Sequence, residues 1–568
     1  MNTRPVFFRV SRNRKKAASA PSMRPKALSG SIAKYSRGLA LSALALIGAS
    51  QAPGEIYYWD SNTTTGGFGN TTGVWGTSLF LNTDIAGAGL GPLTTATTNA
   101  DTLNFGTATL NYAQASVTVS GAVAASSIVY GAGQTTSITI SGGTSITLGD
   151  GTPGNGGITL NSGTGAQTIS TPIILNNSQS WTNNSSSNLT ISGTVAGAGA
   201  GGQTLTNNGS GTNFVSLAGA LESTVGKIVQ NSATSTLSVR GASTAFAGNV
   251  EILKGTLRIG SHANNLGTSA GQVTLGASSG SDAATLELID NSSPTYVAKP
   301  IVLGTTTGTL TIRITDSSGT NTHTLTGAIS GNNHLTLENA VGNDNLTFNT
   351  GGINNTGTIT HIGVGTGDLT INSVIGSNVA GVIQNSATSR MILAGANTSF
   401  AGTTTISAGI LSLGNNSALG TSILTINGGS IDATATRSIT NALSLGNSFT
   451  FVGSNTLTQG TGAVTLTATP VITTSASTLT LGGNIASGSG GTFGITKAGA
   501  GTLSLTGVNT YAGQTIVNVG TLSIQGTNGA LALSSSPIVV FGTFQIDNLA
   551  AAGGNNNSRI ADTQAFNL

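Results

Sequence analysis

Residues 228–260 read IVQNSATSTLSVRGASTAFAGNVEILKGTLRIG, and residues 382–414 read VIQNSATSRMILAGANTSFAGTTTISAGILSLG. The two align without gaps at an offset of 154, with 16 of 33 positions identical. A third copy, residues 494–526, reads GITKAGAGTLSLTGVNTYAGQTIVNVGTLSIQG and is one residue shorter in its middle. A shorter period runs inside each copy. Leu237 and Val239 return as Leu257 and Ile259, and Met391 and Leu393 as Leu411 and Leu413, both after 20 residues. Leu503 and Leu505 return as Leu522 and Ile524 after 19. Each pair is apolar–polar–apolar, the alternation of a strand with one buried face. A strand that keeps returning to the same role marks one turn of a coil. The predicted fold is all-β, a right-handed parallel β-helix (β-solenoid) of about 20-residue coils.

The turn chemistry agrees. Gly248 and Gly255, Gly402 and Gly409, and Gly513 and Gly520 flank the middle strand of each copy at a spacing of seven. Glycine supplies the positive φ of a tight corner. Asn183-Asn184, Asn207-Asn208 and Asn415-Asn416 mark further corners, where left-handed geometry is tolerated and amides can bond between coils. Proline is nearly absent from the strand segments, and helical periodicity with caps is missing after Gly54. These features predict roughly 20–25 coils, each rising about 4.8 Å. The related units lie near 228–290, 382–434 and 494–548 of a solenoid spanning 107–568.

Composition narrows the class. Glycine contributes 83 of 568 residues, charged residues only 7%, and apolar residues 37%. That is too apolar and too weakly charged for a disordered chain, and it suits a thin core drawn out along an axis. Ten basic residues and no acid fall within residues 1–54, so the rest holds ten basic against seventeen acidic residues. No basic patch remains to neutralise phosphates, which excludes nucleic acid as a partner. Basic residues up to Arg37, an apolar run Leu39–Ala49 and small residues through Ala52 have the layout of a signal peptide, residues 1–52, too short to anchor in a bilayer. The chain holds no cysteine, which rules out thiol chemistry and thiolate-bound metals.

The third copy carries a family resemblance. Lys497-Ala498-Gly499-Ala500-Gly501-Thr502-Leu503-Ser504-Leu505, then Gly507-Val508-Asn509-Thr510-Tyr511-Ala512-Gly513 and Gly520-Thr521-Leu522, resembles the autotransporter-associated β-strand repeat, also called the passenger-associated transport repeat. The earlier copies resemble it less closely, with Phe246 and Phe400 near the tyrosine position, and degenerate coils extend the likeness over residues 55–568. The resemblance implies an exported β-helix at the surface of a Gram-negative-type bacterium, repeats that assist export and folding, and an outer-membrane translocator barrel as partner. Tyr57-Tyr58-Trp59-Asp60, Gly67-Phe68-Gly69, Gly73-Val74-Trp75-Gly76 and Asp101–Gly106 look like the opening of such proteins. They are expected to form an aromatic cap with the first coils, residues 53–106, over a core end otherwise open to water. Aromatic residues are few and scattered after residue 450, unlike the girdled strands of a membrane barrel, which leaves two readings open, a passenger continuing past Leu568 into a barrel and a free secreted rod.

No catalytic, cofactor-binding or metal site is expected. Gly267–Gly271 and Gly276–Gly280 fit G-x-S-x-G, and Gly197–Gly202 fits G-x-G-x-x-G, at the frequency chance gives so glycine-rich a chain and without the helix each motif needs. Asp282, Glu287 and Asp290 with Lys299, and His334, Glu338 and Asp344, form two loose groups, both read as solvated faces. Gly365-Thr366-Gly367-Asp368-Leu369 is a single turn, lacking the tandem copies of a calcium-binding β-roll. His262, His323, His334 and His361 show no ligand spacing. The expected function is a secreted or surface-displayed structural passenger, not an enzyme, with adhesion resting on analogy of fold alone. The alternative is a carbohydrate-active β-helix enzyme of the lyase or hydrolase type. Four or more charged residues converging over one groove would mark it.

Overall fold

A computed structural model describes residues 54–568, except 63–65, 70–71, 89–92, 113–114, 200–201, 268–269, 290–293, 297–298, 317–318, 532–535 and 549–557. The expected signal peptide, residues 1–52, lies outside the described residues, as do Asp290 and the middles of Gly267–Gly271 and Gly197–Gly202. Among the described residues every regular element is a strand, and no helix is long and apolar enough to cross a membrane.

The strands wind into a parallel β-solenoid of about 18 turns with about 23 residues between equivalent positions. A typical turn has three faces. In one of them Ile301–Leu303 lies on the first face, Leu310–Ile314 on the second and Thr322–Leu325 on the third. Each strand pairs in parallel with the matching strands of the turns before and after. Along the second face one inward column runs Leu237, Leu257, Leu286, Ile312, Leu337, His361, Gln384, Ile406, Ile426, Leu445 and Leu466. The core is a narrow stack of buried Leu, Ile and Val with a few aromatic side chains. Full burial of such a side chain is worth roughly 1.5–3 kcal/mol. Stability is therefore a sum over neighbouring turns.

The period read from the sequence is the pairing itself. Leu237 pairs with Leu257, Met391 with Leu411 and Leu503 with Leu522. In the N-terminal half several turns are longer. Ser127 pairs with Gly157 and Leu257 with Leu286, because loops such as 276–283 leave the coil between strands. Short turns are not confined to the repeats, since Leu424 pairs with Leu443 after 19 residues and Arg437 with Leu457 after 20.

The copies also occupy different faces. The first lays its two strand columns on the first and second faces, as Ile228↔Val250 and Leu237↔Leu257. The second lays them on the second and third, as Gln384↔Ile406 and Met391↔Leu411. The third copy begins on that third face with Lys497↔Val517 and places Leu503↔Leu522 on the face that follows. Each copy has advanced one face around the coil.

The N-terminal segment breaks the parallel rule. Ile56–Trp59 pairs in parallel with Thr102–Phe105, but Leu81–Asn82 returns antiparallel against Tyr58 and Trp59. Trp59, Phe68, Trp75, Phe105 and Tyr112 are buried together there. The Tyr112 hydroxyl donates to the Trp59 carbonyl.

Candidate functional site

The positions that make the repeat recognisable are spent on closing corners and on joining turns. In the first copy Gln230 is fully buried. Its Nε2 donates to the carbonyls of Ser232 at 2.6 Å and Ser235 at 2.8 Å, while Oε1 accepts from the Leu237 N–H at 3.0 Å. Gln384 repeats this in the second copy, donating to Ser386 and Ser389 at 3.2 and 2.7 Å. The hydroxyls of Ser232 and Ser386 reach back one turn to the carbonyls of Gly209 and Gly363. The third copy puts Lys497 at this corner. Its Nζ donates to Ala498, Gly499 and Val519 carbonyls at 2.8, 2.6 and 2.9 Å. Burial pulls the Lys497 amine down to about 8.

A second device bridges three turns. Asn397 accepts from the Ile375 N–H at 2.8 Å and donates to the Ala418 carbonyl at 2.6 Å. Asn509 accepts from Ile485 at 3.2 Å and donates to Ala530 at 2.9 Å. Ser243 fills the same place in the first copy and accepts from Leu221 at 3.0 Å. Phe246, Phe400 and Tyr511 are buried plugs beside it.

The paired glycines serve two ends. Gly255, Gly409 and Gly520 have φ of +70°, +66° and +72°. A Cβ on Gly248, Gly402 or Gly513, which lie outside the left-handed region, would come within 2.4, 2.5 and 2.3 Å of the neighbouring turn's backbone. The asparagine corners work by side-chain bonding instead of left-handed backbone. Asn183 and Asn207 are buried and donate to carbonyls of the following turn. Ser261 and Ser477 are the non-glycine residues with positive φ among those described.

The charged groups expected on solvated faces divide. Asp282, His262 and His334 are exposed, and Glu338 is half-buried. Glu287 points away from the core yet is only 1% exposed, which corrects the expectation. Arg258 in the turn before and Arg313 in the turn after close over it, with Arg313 Nη2 at 2.8 Å from Oε1 and Thr315 Oγ1 at 3.1 Å. Burial pushes the carboxyl up, but the two guanidiniums and the hydroxyl outweigh it and hold Glu287 below the usual carboxylate range. Arg258, Glu287, Arg313 and Glu338 thus form a ladder of alternating sign on one face. Four charges do line up, but the central carboxylate is covered and both its oxygens are engaged. Lys299 and Asp344 are also buried, contrary to expectation; Lys299 Nζ donates to the Ala270 carbonyl and lies over the Phe246 ring. Asp368, in the turn 365–369, is bound by Arg390 one turn later. All three tryptophans are fully buried, so none offers a sugar-stacking face. A depression of about 420 Å³ beside Tyr58, Asn104 and Asn161 is lined mostly by small residues and carries no charged side chain.

The passenger-associated-transport-repeat family matches residues 388–413 and 495–524, the second and third copies. A 67-residue stretch is 48% identical to the adhesin BmaC autotransporter of Brucella suis biovar 1 (strain 1330). That stretch covers 12% of this chain and 2% of the adhesin. No solved structure matches. Motif, corner chemistry and coil geometry agree: this chain is a β-solenoid protein carrying passenger-associated transport repeats.

Proposed function

We propose that the chain is the exported, non-enzymatic passenger part of an autotransporter-type surface protein, and that its repeats act as folding clamps during export. The observation that carries this reading is where the repeat's characteristic side chains go. Gln384, Asn397, Phe400, Lys497, Asn509 and Tyr511 are all buried, and Gln384, Asn397, Lys497 and Asn509 each bond to a neighbouring turn. A motif recurring for binding or catalysis would place side chains on the surface, on one face. These copies instead advance a face at a time. Each added turn forms a new set of strand bonds and buries apolar area, so folding outside the cell can draw the chain outward.

The basic–apolar–small leader supports entry to the export route, a translocator barrel is the partner this implies, and the buried aromatic cluster of the N-terminal segment supports a cap over the first turns. The likeness to an adhesin supports adhesion as the displayed role. The enzyme alternative is disfavoured by the closed Arg–Glu–Arg ladder.

The test removes one turn without disturbing phase. Deleting residues 503–521 brings Leu522 into the place of Leu503 inside the matched segment 495–524, and deleting 424–442, past the end of the matched segment 388–413, brings Leu443 into that of Leu424. Both remove the same length. Export of the full protein is expected to fall with the first deletion and to persist with the second. Equal export of the two would sink the clamp reading.

A further inference from the structure

Three buried polar side chains near the middle of the solenoid have no part in the repeat corners. Asp316 follows the strand Leu310–Ile314, His323 lies in Thr322–Leu325, and Asp344 stands just before Asn345–Phe348 in the next turn. One ligand atom from each lies within 4.8 Å of the other two. Exposure is 9%, 0% and 1%. The register brings them together. Thr322 pairs with Asn345 and His323 with Leu346, which carries Asp344 beside Asn321. The Asn321 N–H donates to Asp344 Oδ1 at 2.7 Å and fixes the carboxylate. Its other oxygen, Oδ2, accepts no hydrogen bond and faces His323 Nε2 at 3.6 Å. The Tyr296 ring stacks on the imidazole, with centroids 5.8 Å apart and planes 12° apart.

Two carboxylates drawn this close in a buried place repel, and a divalent cation between them answers both. The 3.6 Å between Nε2 and Oδ2 is beyond hydrogen-bond range. It is close to the roughly 3.4 Å between neighbouring ligands of a tetrahedral ion with bonds of about 2.0–2.1 Å. We propose that Asp316, His323 and Asp344 form a buried Zn²⁺-type site that ties two successive turns together. One nitrogen and two oxygens suit zinc or a similar late first-row ion. Calcium takes about six to eight oxygens, and magnesium keeps an octahedral shell rich in water. Because two of the ligands precede the joint between turns and the third follows it, the ion binds only the wound chain. Its binding free energy is therefore folding free energy.

The experiment uses the full chain, stripped with a chelator and titrated with ZnCl₂ by calorimetry, with metal content read by mass spectrometry. One equivalent is expected to bind and to raise the thermal midpoint, while CaCl₂ and MgCl₂ leave it unmoved. His323→Gln and Asp344→Asn are each expected to weaken binding by at least the roughly 10–100-fold that loss of an outer-shell partner costs. Should either variant misfold, Co²⁺ bound to the unaltered chain supplies the readout, with the intense visible absorption of a four-coordinate ion expected. Absence of stoichiometric binding overturns the site. So does unchanged affinity in both variants, which would place the ion on the exposed His262 or His334, and so does the weak spectrum of a six-coordinate Co²⁺ complex.

Discussion

The second and third repeat copies close the same corner with different chemistry. In the second, the neutral amide of Gln384 reaches the carbonyls of Ser386 and Ser389. In the third, the ammonium of Lys497 holds Ala498 and Gly499 and adds Val519 from the next turn. What persists between them is the cage of inward carbonyls and a glycine that lets the backbone pass, Gly409 in one and Gly520 in the other. The corner is thus specified by acceptors needing a donor, since a buried carbonyl left unpaired costs about 1–3 kcal/mol. Either donor serves, and the glutamine copies gain a further partner in the turn before, Asn207 for Gln230 and His361 for Gln384.

The shared glycine gives the largest expected effect. Gly409 has φ +66°, and a Cβ there would stand 1.8 Å from the Ser386 carbonyl oxygen. Gly409→Val is expected to cost about 3–5 kcal/mol through strain and clash together. A solenoid need not unfold in one step, so hydrogen exchange in the flanking turns is the proper measurement. Exchange rates unchanged around residues 384–413 would show that the corner can be rebuilt without glycine. Next comes the donor. Lys497→Met takes this donor from three carbonyls, of which that of Ala498 keeps the Thr474 hydroxyl, and at the low end for the other two is expected to cost about 2–3 kcal/mol locally, whereas Lys497→Gln keeps most of the stability. If glutamine proves no better than methionine, the two corners are not equivalent.

The coil was legible because the repeats return at a short and nearly constant spacing, and the paired residues are those that the period picked out. What one turn does to the next was not. Glu287 reads as an outward strand residue, which it is, but its covering arginines, Arg258 and Arg313, stand at unequal distances along the chain in the turns before and after. Turn length between repeats is set by loops that leave the coil, so those partners cannot be counted off from a fixed period. The same irregularity hid the meeting of Asp316, His323 and Asp344. Asn509 was visible only as part of a motif, and its two-way bonding needs both neighbouring turns in place.

The smallest expected effect separates the first copy from the second. Asn207 donates to Gln230 Oε1 at 2.8 Å, and at the matching place beside the second copy His361 Nδ1 meets Gln384 Oε1 at 2.6 Å. The ring's other nitrogen lies 3.2 Å from the Ser389 hydroxyl. Burial lowers the His361 imidazole to about 4, against the weaker pull of the Gln384 bond and of Asp368, which is itself paired with Arg390. A histidine lowered on folding binds its proton in the unfolded chain first. Below pH 6.5 the unfolded state therefore gains protons that the native state refuses, and stability falls with pH until about pH 4. The slope is at most about 1.4 kcal/mol per pH unit, which makes the loss about 1 kcal/mol at pH 5.5. Hydrogen exchange at pH 7 and pH 5.5, corrected for its intrinsic pH dependence, is expected to show the turn at 357–362 loosening while the turn at 203–207 holds. His361→Asn should make the second copy behave like the first. If both copies loosen alike, or if the variant keeps the slope, the pH dependence belongs to other groups and His361 is only a filler of the core.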